Sequence, residues 1–197
     1  MNILLNELPQ IVNIGGTDFK INSDFRISIH FEQLMQDITK DDNEIFSEAL
    51  RMYYPEIDII PDTQEAVNQM LWFYRCGKEL KENKESKKKS DEIYSFEHDS
   101  DYIYSAFLDQ YKTDLQEIKY LHWWKFKAMF TSLKEDNEIS KIMSIRATDA
   151  SKLSKEQKEH YRKLKKIYAI PRPKKEVEVN NAFEQALLNG GDISKLL

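Results

Sequence analysis

The feature that most limits how this chain can fold is the density of aromatic side chains between Tyr94 and Leu133. Tyrosines and phenylalanines recur through this segment, and a tryptophan pair, Trp123–Trp124, stands in its second half. Large aromatic side chains each bury about 150–250 Å², so this segment belongs to a core, a partner interface, or both. Because adjacent helical residues point about 100° apart, we expect one ring to serve the core and the other to contact a protein partner.

The composition favours helices over a β-sandwich. The 197 residues are 41% hydrophobic and 32% charged, which suits a folded, soluble chain rather than a disordered one. Five glycines and five prolines are few for the many turns of an all-β sandwich. We therefore predict a mainly α fold, a helical bundle with a small N-terminal β-hairpin and a C-terminal tail helix.

Apolar spacing and capping residues locate the individual elements. The Gly15-Gly16 pair between short apolar runs predicts the hairpin. Helices are expected from a Ser23 N-cap to Asp37, from Asp41–Asp42 to Pro55, from Asp62 to a Gly77 C-cap, and over residues 99–111, 114–133, 139–146, 155–168 and 180–189.

The domain organisation follows from one charged stretch and one change in pattern. Residues 79–92 are rich in lysine and glutamate, and Leu80 is their main apolar residue, so we predict a mobile charged loop. We expect residues 1–170 to form a single helical domain that carries this loop. Residues 171–197 are expected to form a C-terminal tail with a short helix, in which Phe183, Leu187 and Leu188 are candidates for joining protomers.

The charge is distributed unevenly around a net value of −5. Between Ser151 and Lys175 there are ten basic residues and two acidic ones. The helix expected over residues 155–168 also carries Tyr161 and Tyr168, and lysines with stacking aromatics can bind nucleic acid. The acidic net charge and the absence of a nucleic-acid-binding motif favour instead a solvated or protein-docking face.

One cluster is a candidate for metal or acid–base chemistry. Glu97, His98, Asp99 and Asp101 lie at the start of an expected helix, where two carboxylates could share a face with an imidazole. Acidic residues are also favoured in a first turn by the helix dipole alone. We favour this capping interpretation and expect no metal or cofactor.

No pattern typical of an enzyme is present. His122 lies between apolar residues and is expected to be a hydrogen-bonded core or interface histidine. Cys76, the sole cysteine, is expected to be buried and inert. Neither a paired-histidine zinc motif nor a nucleophile elbow occurs, so we expect a non-catalytic protein.

No apolar run is long enough to span a bilayer, and the first residues lack the basic start of a signal peptide. We therefore expect the protein to stay in the cytoplasm in which it is made.

Five blocks of sequence resemble a family of small proteins from the tail-gene region of long-tailed phages and prophages of Gram-positive bacteria. The resemblance runs in order from about residue 10 to the end, with the lysine-rich stretch near residue 85 as a variable insert. The blocks are INSDFR (21–26), LWFYRCGK (71–78), YSFEHDSDYIYSAF (94–107), LHWWKFKAMF (121–130) and NGGDISKLL (189–197).

The resemblance implies a function in phage tail assembly. Members are encoded just ahead of the tape-measure gene, which implies a tail assembly chaperone that acts on the tape-measure protein in the host bacterial cytoplasm. A second tail chaperone and the major tail protein are further expected partners, and absence from the mature virion is expected. The alternatives are a nucleic-acid-binding accessory protein that uses residues 155–168, or a minor structural virion component.

Overall fold

A computed structural model describes residues 2–56, 60–78 and 92–171, apart from the side chain of Lys152. Helices dominate these residues, and one two-stranded antiparallel hairpin lies near the N-terminus. The predicted mainly α fold with an N-terminal hairpin is confirmed. The expected charged loop at 79–92, except for Glu92, and the C-terminal tail helix lie outside the described residues. The elements are β1 (Ile11–Ile14), β2 (Thr17–Lys20), α1 (Phe25–Met35), α2 (Asp42–Tyr53), α3 (Thr63–Tyr74), α4 (Ser100–Tyr111), α5 (Trp123–Thr131), α6 (Glu138–Ala147), a 3₁₀ turn (Ala150–Lys152) and α7 (Lys155–Ile167).

The hairpin turns at the two glycines that the sequence indicated. Gly15 and Gly16 have φ of +60° and +79°, the two positive values of a type I′ turn, which suits the twist of paired strands. The N–H of Gly15 donates to a carboxylate oxygen of Glu65 in α3 at 2.6 Å. This bond ties the tip of the hairpin to the start of α3.

Short polar side chains begin the helices. Asp41 and Glu44 form a capping box at α2, and Asp62 accepts the N–H of Glu65 at α3, as the sequence predicted. At α1 the predicted cap is wrong by one residue: Asp24 accepts the N–H of Arg26. Ser23 is buried and its hydroxyl bonds to that of Tyr120 instead.

The helix predicted over residues 114–133 is wrong in its first half. The carboxylate of Asp114 accepts the N–H groups of Gln116 and Glu117 and forms a turn there. His122 instead forms an isolated antiparallel bridge with Asp24, in which the N–H of Phe25 donates to the carbonyl of Leu121 and the N–H of Trp123 donates to that of Ser23. Pairing with a distant segment therefore delays the start of α5 until Trp123.

The end of α3 also departs from the prediction. Cys76 as well as Gly77 has positive φ, +57° and +69°. Their N–H groups donate to the carbonyls of Phe73 and Trp72, both at 2.9 Å, which is the Schellman arrangement. Cys76 thus takes the left-handed position expected for Gly77, and it is half-buried rather than buried.

The chain clusters into two compact units. Unit 1 contains described residues 2–56, 60–78 and 120–126; unit 2 contains residues 92–119 and 127–171. The single domain expected over residues 1–170 stays a prediction. The largest fully buried side chains of unit 1 include those of Phe31, Tyr53, Tyr54, Phe73, Trp123 and Phe126. Unit 2 buries Phe96, Ile103, Phe107, Phe130, Ile139 and Ile142.

Candidate functional site

The tryptophan pair closes the end of α3 in unit 1. The indole N–H of Trp123 donates to the carbonyl of Tyr74, and that of Trp124 donates to the carbonyl of Phe73, each at 2.7 Å. Both carbonyls belong to the last turn of α3, where carbonyls lack i+4 partners within the helix; that of Phe73 also accepts the N–H of Cys76. Two side chains from far along the chain therefore complete this helix end.

Both indole rings are also core groups. Trp123 is 0% exposed and Trp124 is 4% exposed. Trp123 stacks on Tyr74 at 5.7 Å between centroids, and Trp124 meets Trp72 edge to face at 5.5 Å, geometries that aromatic pairs favour. The expected division of the pair between core and surface is therefore wrong. A role for either ring in binding a partner stays a prediction, and this burial disfavours it.

Gly77 lies directly beneath the ring of Trp124. A Cβ at this position would be 2.8 Å from Cη2 of that ring, and φ is +69°. Both the close approach and the backbone conformation require glycine here. The sequence block LWFYRCGK thus includes a residue whose missing side chain makes room for the indole.

His122 holds the first turn of α5. The N–H of Trp124 donates to Nδ1 at 3.1 Å, and Nε2 lies 3.0 Å from the carbonyl oxygen of Pro9. Because Nδ1 accepts, this network assigns the proton to Nε2, which donates to Pro9. Burial lowers the pKa of His122 below its ordinary value, and Lys125 lowers it further, although the Pro9 bond acts in the opposite direction. The predicted core histidine is confirmed, in its neutral form.

Asp99, from the acidic cluster, forms a buried ion pair in unit 2. Its two carboxylate oxygens accept from Arg146 in α6 at 2.5 and 2.9 Å, and the side chains are 2% and 9% exposed. Arg146 also donates to the carbonyls of Ile93 and Tyr168. Each of the three guanidinium nitrogens has a partner, and the network joins the start of α4, the end of α6 and the end of α7.

Asp99 is the N-cap residue of α4, as the capping interpretation expected, but its side chain makes no N-cap hydrogen bond and pairs with Arg146 instead. Glu97 and Asp101 are exposed, and Asp101 lies in the first turn of α4. Within the described residues, no group of three or more histidine, cysteine, aspartate or glutamate side chains is arranged to hold a metal ion.

Helix α7 presents a row of cations, which we call the basic stripe: Lys155, Lys158, Arg162 and Lys166. Spacings of three, four and four residues place these side chains on one face, and all four are exposed. Tyr161 and Tyr168 are half-buried, and Leu164 between them shares their face, which turns away from the stripe.

Three exposed apolar residues of unit 1 lie in a turn that was not predicted from the sequence as a candidate site. Asn2 and Asn6 close it through backbone and side-chain hydrogen bonds, and it displays Ile3, Leu4 and Leu5. Leu4 is 87% exposed and Leu5 is 82% exposed. The sequence pattern that could have indicated this turn is the apolar triplet Ile3-Leu4-Leu5 ahead of Pro9. The tail candidates Phe183, Leu187 and Leu188 lie outside the described residues.

Among the helices that the structure describes, none combines the length and the apolarity needed to cross a lipid bilayer.

A model of a bacteriophage protein family matches residues 4–170. That family is described as Bacteriophage Gp15 protein, and the chain belongs to it. No curated protein and no solved structure gives a significant match. The resemblance found in the sequence is thus confirmed as membership of a phage protein family.

Proposed function

We propose that this phage protein is a non-catalytic tail assembly chaperone that acts on the tape-measure protein. Membership of the Gp15 family supports a phage role, and the sequence blocks that resemble proteins encoded beside the tape-measure gene support the specific step. The tape-measure protein is long and largely helical, so its apolar stripes need cover before the tail is complete. A chaperone for such a client needs exposed apolar surface rather than a catalytic centre.

The observation that carries the proposal is the apolar turn at Ile3, Leu4 and Leu5. Side chains of this size are usually exposed singly, and contiguous exposed groups indicate a docking surface. An amphipathic helix is recognised by apolar anchors that fit such a surface. Leu4 and Leu5, both more than four-fifths exposed, are the anchors that this function requires.

Co-expression with the tape-measure protein tests the proposal. The wild-type chain is expected to raise the soluble yield of the client, and Leu4→Ser/Leu5→Ser is expected to lose most of this gain. Ile167→Ser is the matched control, because Ile167 is 71% exposed in α7 and is not part of the turn. If the client stays equally insoluble with and without the wild-type chain, the chaperone function is wrong. If the double variant raises the soluble yield of the client as much as the wild type does, the turn has no role in binding the client.

The proposal includes location and further partners. The protein works in the host bacterial cytoplasm, contacts a second tail chaperone and the major tail protein, joins protomers through Phe183, Leu187 and Leu188, and leaves before the virion matures. Mass spectrometry of purified virions tests the last point, because stoichiometric recovery would favour a minor structural role. Truncation before Asn180 is expected to reduce oligomerisation.

The second candidate is a nucleic-acid-binding accessory protein, and the basic stripe is the observation that favours it. Submicromolar binding to duplex DNA with a steep dependence on salt would promote it. We expect negligible binding near physiological salt, and no change when the four cations of the stripe are replaced by glutamine.

A further inference from the structure

The basic stripe is an exposed charged surface on α7. None of Lys155, Lys158, Arg162 and Lys166 forms an ion pair within the described part of unit 2. The stripe extends eleven residue steps along the helix, about 16 Å at 1.5 Å per residue. A partner that matches the stripe would present negative charge along a line of similar length.

Two observations favour a protein over a nucleic acid as that partner. The tyrosines of α7 that could stack on bases lie away from the stripe: Tyr161 and Tyr168 are half-buried, and the carbonyl and hydroxyl of Tyr168 bond to Arg146 and Glu138. The chain as a whole carries a net charge of −5, which repels a polyanion.

An acidic row with matching spacing occurs in unit 1 of the same chain. Asp41, Glu44 and Glu48 follow one another at three and four residues along α2, as Lys155, Lys158 and Arg162 do along α7. Each of these rows extends seven residue steps, about 10 Å. Asp41 and Glu44 are exposed and form no ion pair within the described part of unit 1, whereas Glu48 pairs with Lys40.

The acidic row borders a shallow groove. A depression of about 450 Å³ runs along this face of α2, lined by the three carboxylates together with Lys40, Asn43, Ser47 and Arg51. Long lysine and arginine side chains can lie in such a depression with their charged ends beside the carboxylates.

We propose that the basic stripe of one copy docks on the acidic row of α2 in a second copy. The two surfaces differ, so the contact is heterologous and its repetition adds copies in a row rather than closing a dimer. This inference rests on the proposed chaperone function and extends it, because a row of copies would cover a long client along its length. Exposed ion pairs are individually weak, so free copies associate weakly and a shared template raises their effective concentration.

Sedimentation velocity of the full chain provides the test. In about 20 mM salt the sedimentation coefficient is expected to rise with protein concentration, and in about 0.5 M salt the apparent Kd is expected to weaken at least about tenfold, because salt screens exposed charges. Association that is equally strong in both solutions would overturn the inference and indicate apolar contacts instead.

Charge reversal identifies the two surfaces. We expect Lys155→Glu/Lys158→Glu/Arg162→Glu and, separately, Glu44→Lys/Glu48→Lys to abolish the salt-sensitive association. A mixture of the two variants should associate again, because each then supplies the sign that the other lacks. The inference fails if the mixture does not associate, or if the α2 variant still associates with itself.

Two further variants keep the test secure. Lys112→Glu/Lys134→Glu/Lys141→Glu makes the same change in net charge away from α7, and it should associate like the wild type; an equal loss would overturn the role of the stripe. Glu44→Gln/Glu48→Gln preserves the capping-box hydrogen bond and should weaken association without unfolding α2. If self-association is absent while co-expression still keeps the tape-measure protein soluble, the inference fails and the chaperone function stands.

Discussion

Replacing Gly77 by alanine tests the contact between the end of α3 and the ring of Trp124. Two costs are expected. The left-handed conformation at φ +69° costs an L-residue about 1–2 kcal/mol. The new Cβ would be 2.8 Å from Cη2 of Trp124, and overpacking of a well-packed site costs about 1–3 kcal/mol. The free energy of unfolding should therefore fall by about 2–5 kcal/mol.

Gly16→Ala is the matched control, because Gly16 has φ +79° and no atom within 4 Å of the added Cβ. This variant should lose only the backbone contribution of about 1–2 kcal/mol. Urea denaturation followed by tryptophan fluorescence gives both values. Combining Gly77→Ala with Trp124→Phe should recover part of the overpacking cost, since the smaller ring leaves room. Equal losses for the two glycine variants would refute the steric argument.

Three further predictions concern the buried groups. Trp123→Ala and Trp124→Ala should each lower the free energy of unfolding by about 3–5 kcal/mol; a neutral result for either in thermal melts would contradict its place in the core. Arg146→Ala should cost about 3–5 kcal/mol, because it leaves the carboxylate of Asp99 buried and unpaired. Arg146→Met combined with Asp99→Asn should lower the free energy of unfolding by less in the same melts. An equal or larger loss would argue against the unpaired carboxylate as the cause. The native pKa of His122 is lowered from 6.5, so the unfolded state binds its proton first and stability should fall as the pH drops below about 6.5. Above that pH the contribution is fully present. His122→Asn should flatten this dependence in denaturation curves measured across the range, and an unchanged slope would refute the assignment.

The elements predicted correctly from sequence depend on interactions between near neighbours. The hairpin follows from two adjacent glycines. The predicted helix starts near Asp41 and residue 155 are each fixed by a capping box between residues three positions apart, Asp41–Glu44 and Ser154–Gln157. Such elements are determined by interactions between neighbouring residues, so they can be predicted without knowledge of the rest of the fold.

The errors occur where distant segments decide the local structure. Apolar side chains lie on most sides of the helix predicted over residues 114–133. Backbone hydrogen bonds of Leu121 and Trp123 with Phe25 and Ser23 instead pair the start of α5 with a distant segment. Asp99 lies at the N-cap of α4, but its carboxylate bonds to Arg146, 47 residues away, instead of capping the helix. Both outcomes depend on pairings that no local pattern specifies.

At the candidate site, the sequence predicted that the aromatic residues form a core, but not the direction in which each indole ring points. The density of rings predicted burial, and both indoles are buried. That both rings point inward could not be predicted, because their indole N–H groups bond to the carbonyls of Tyr74 and Phe73 in a distant segment. The basic stripe could be predicted because an exposed helix face follows from periodicity alone.

The bonds from Trp123 and Trp124 to the end of α3 also affect the order in which the protein is made. They join groups 49 and 51 residues apart, and the intervening chain belongs largely to unit 2. A ribosome that has released only the first hundred residues has therefore released unit 1 without the side chains that fill its centre. Synthesis must continue to about Phe126 before this core can close, and until then the nascent chain exposes apolar surface of its own.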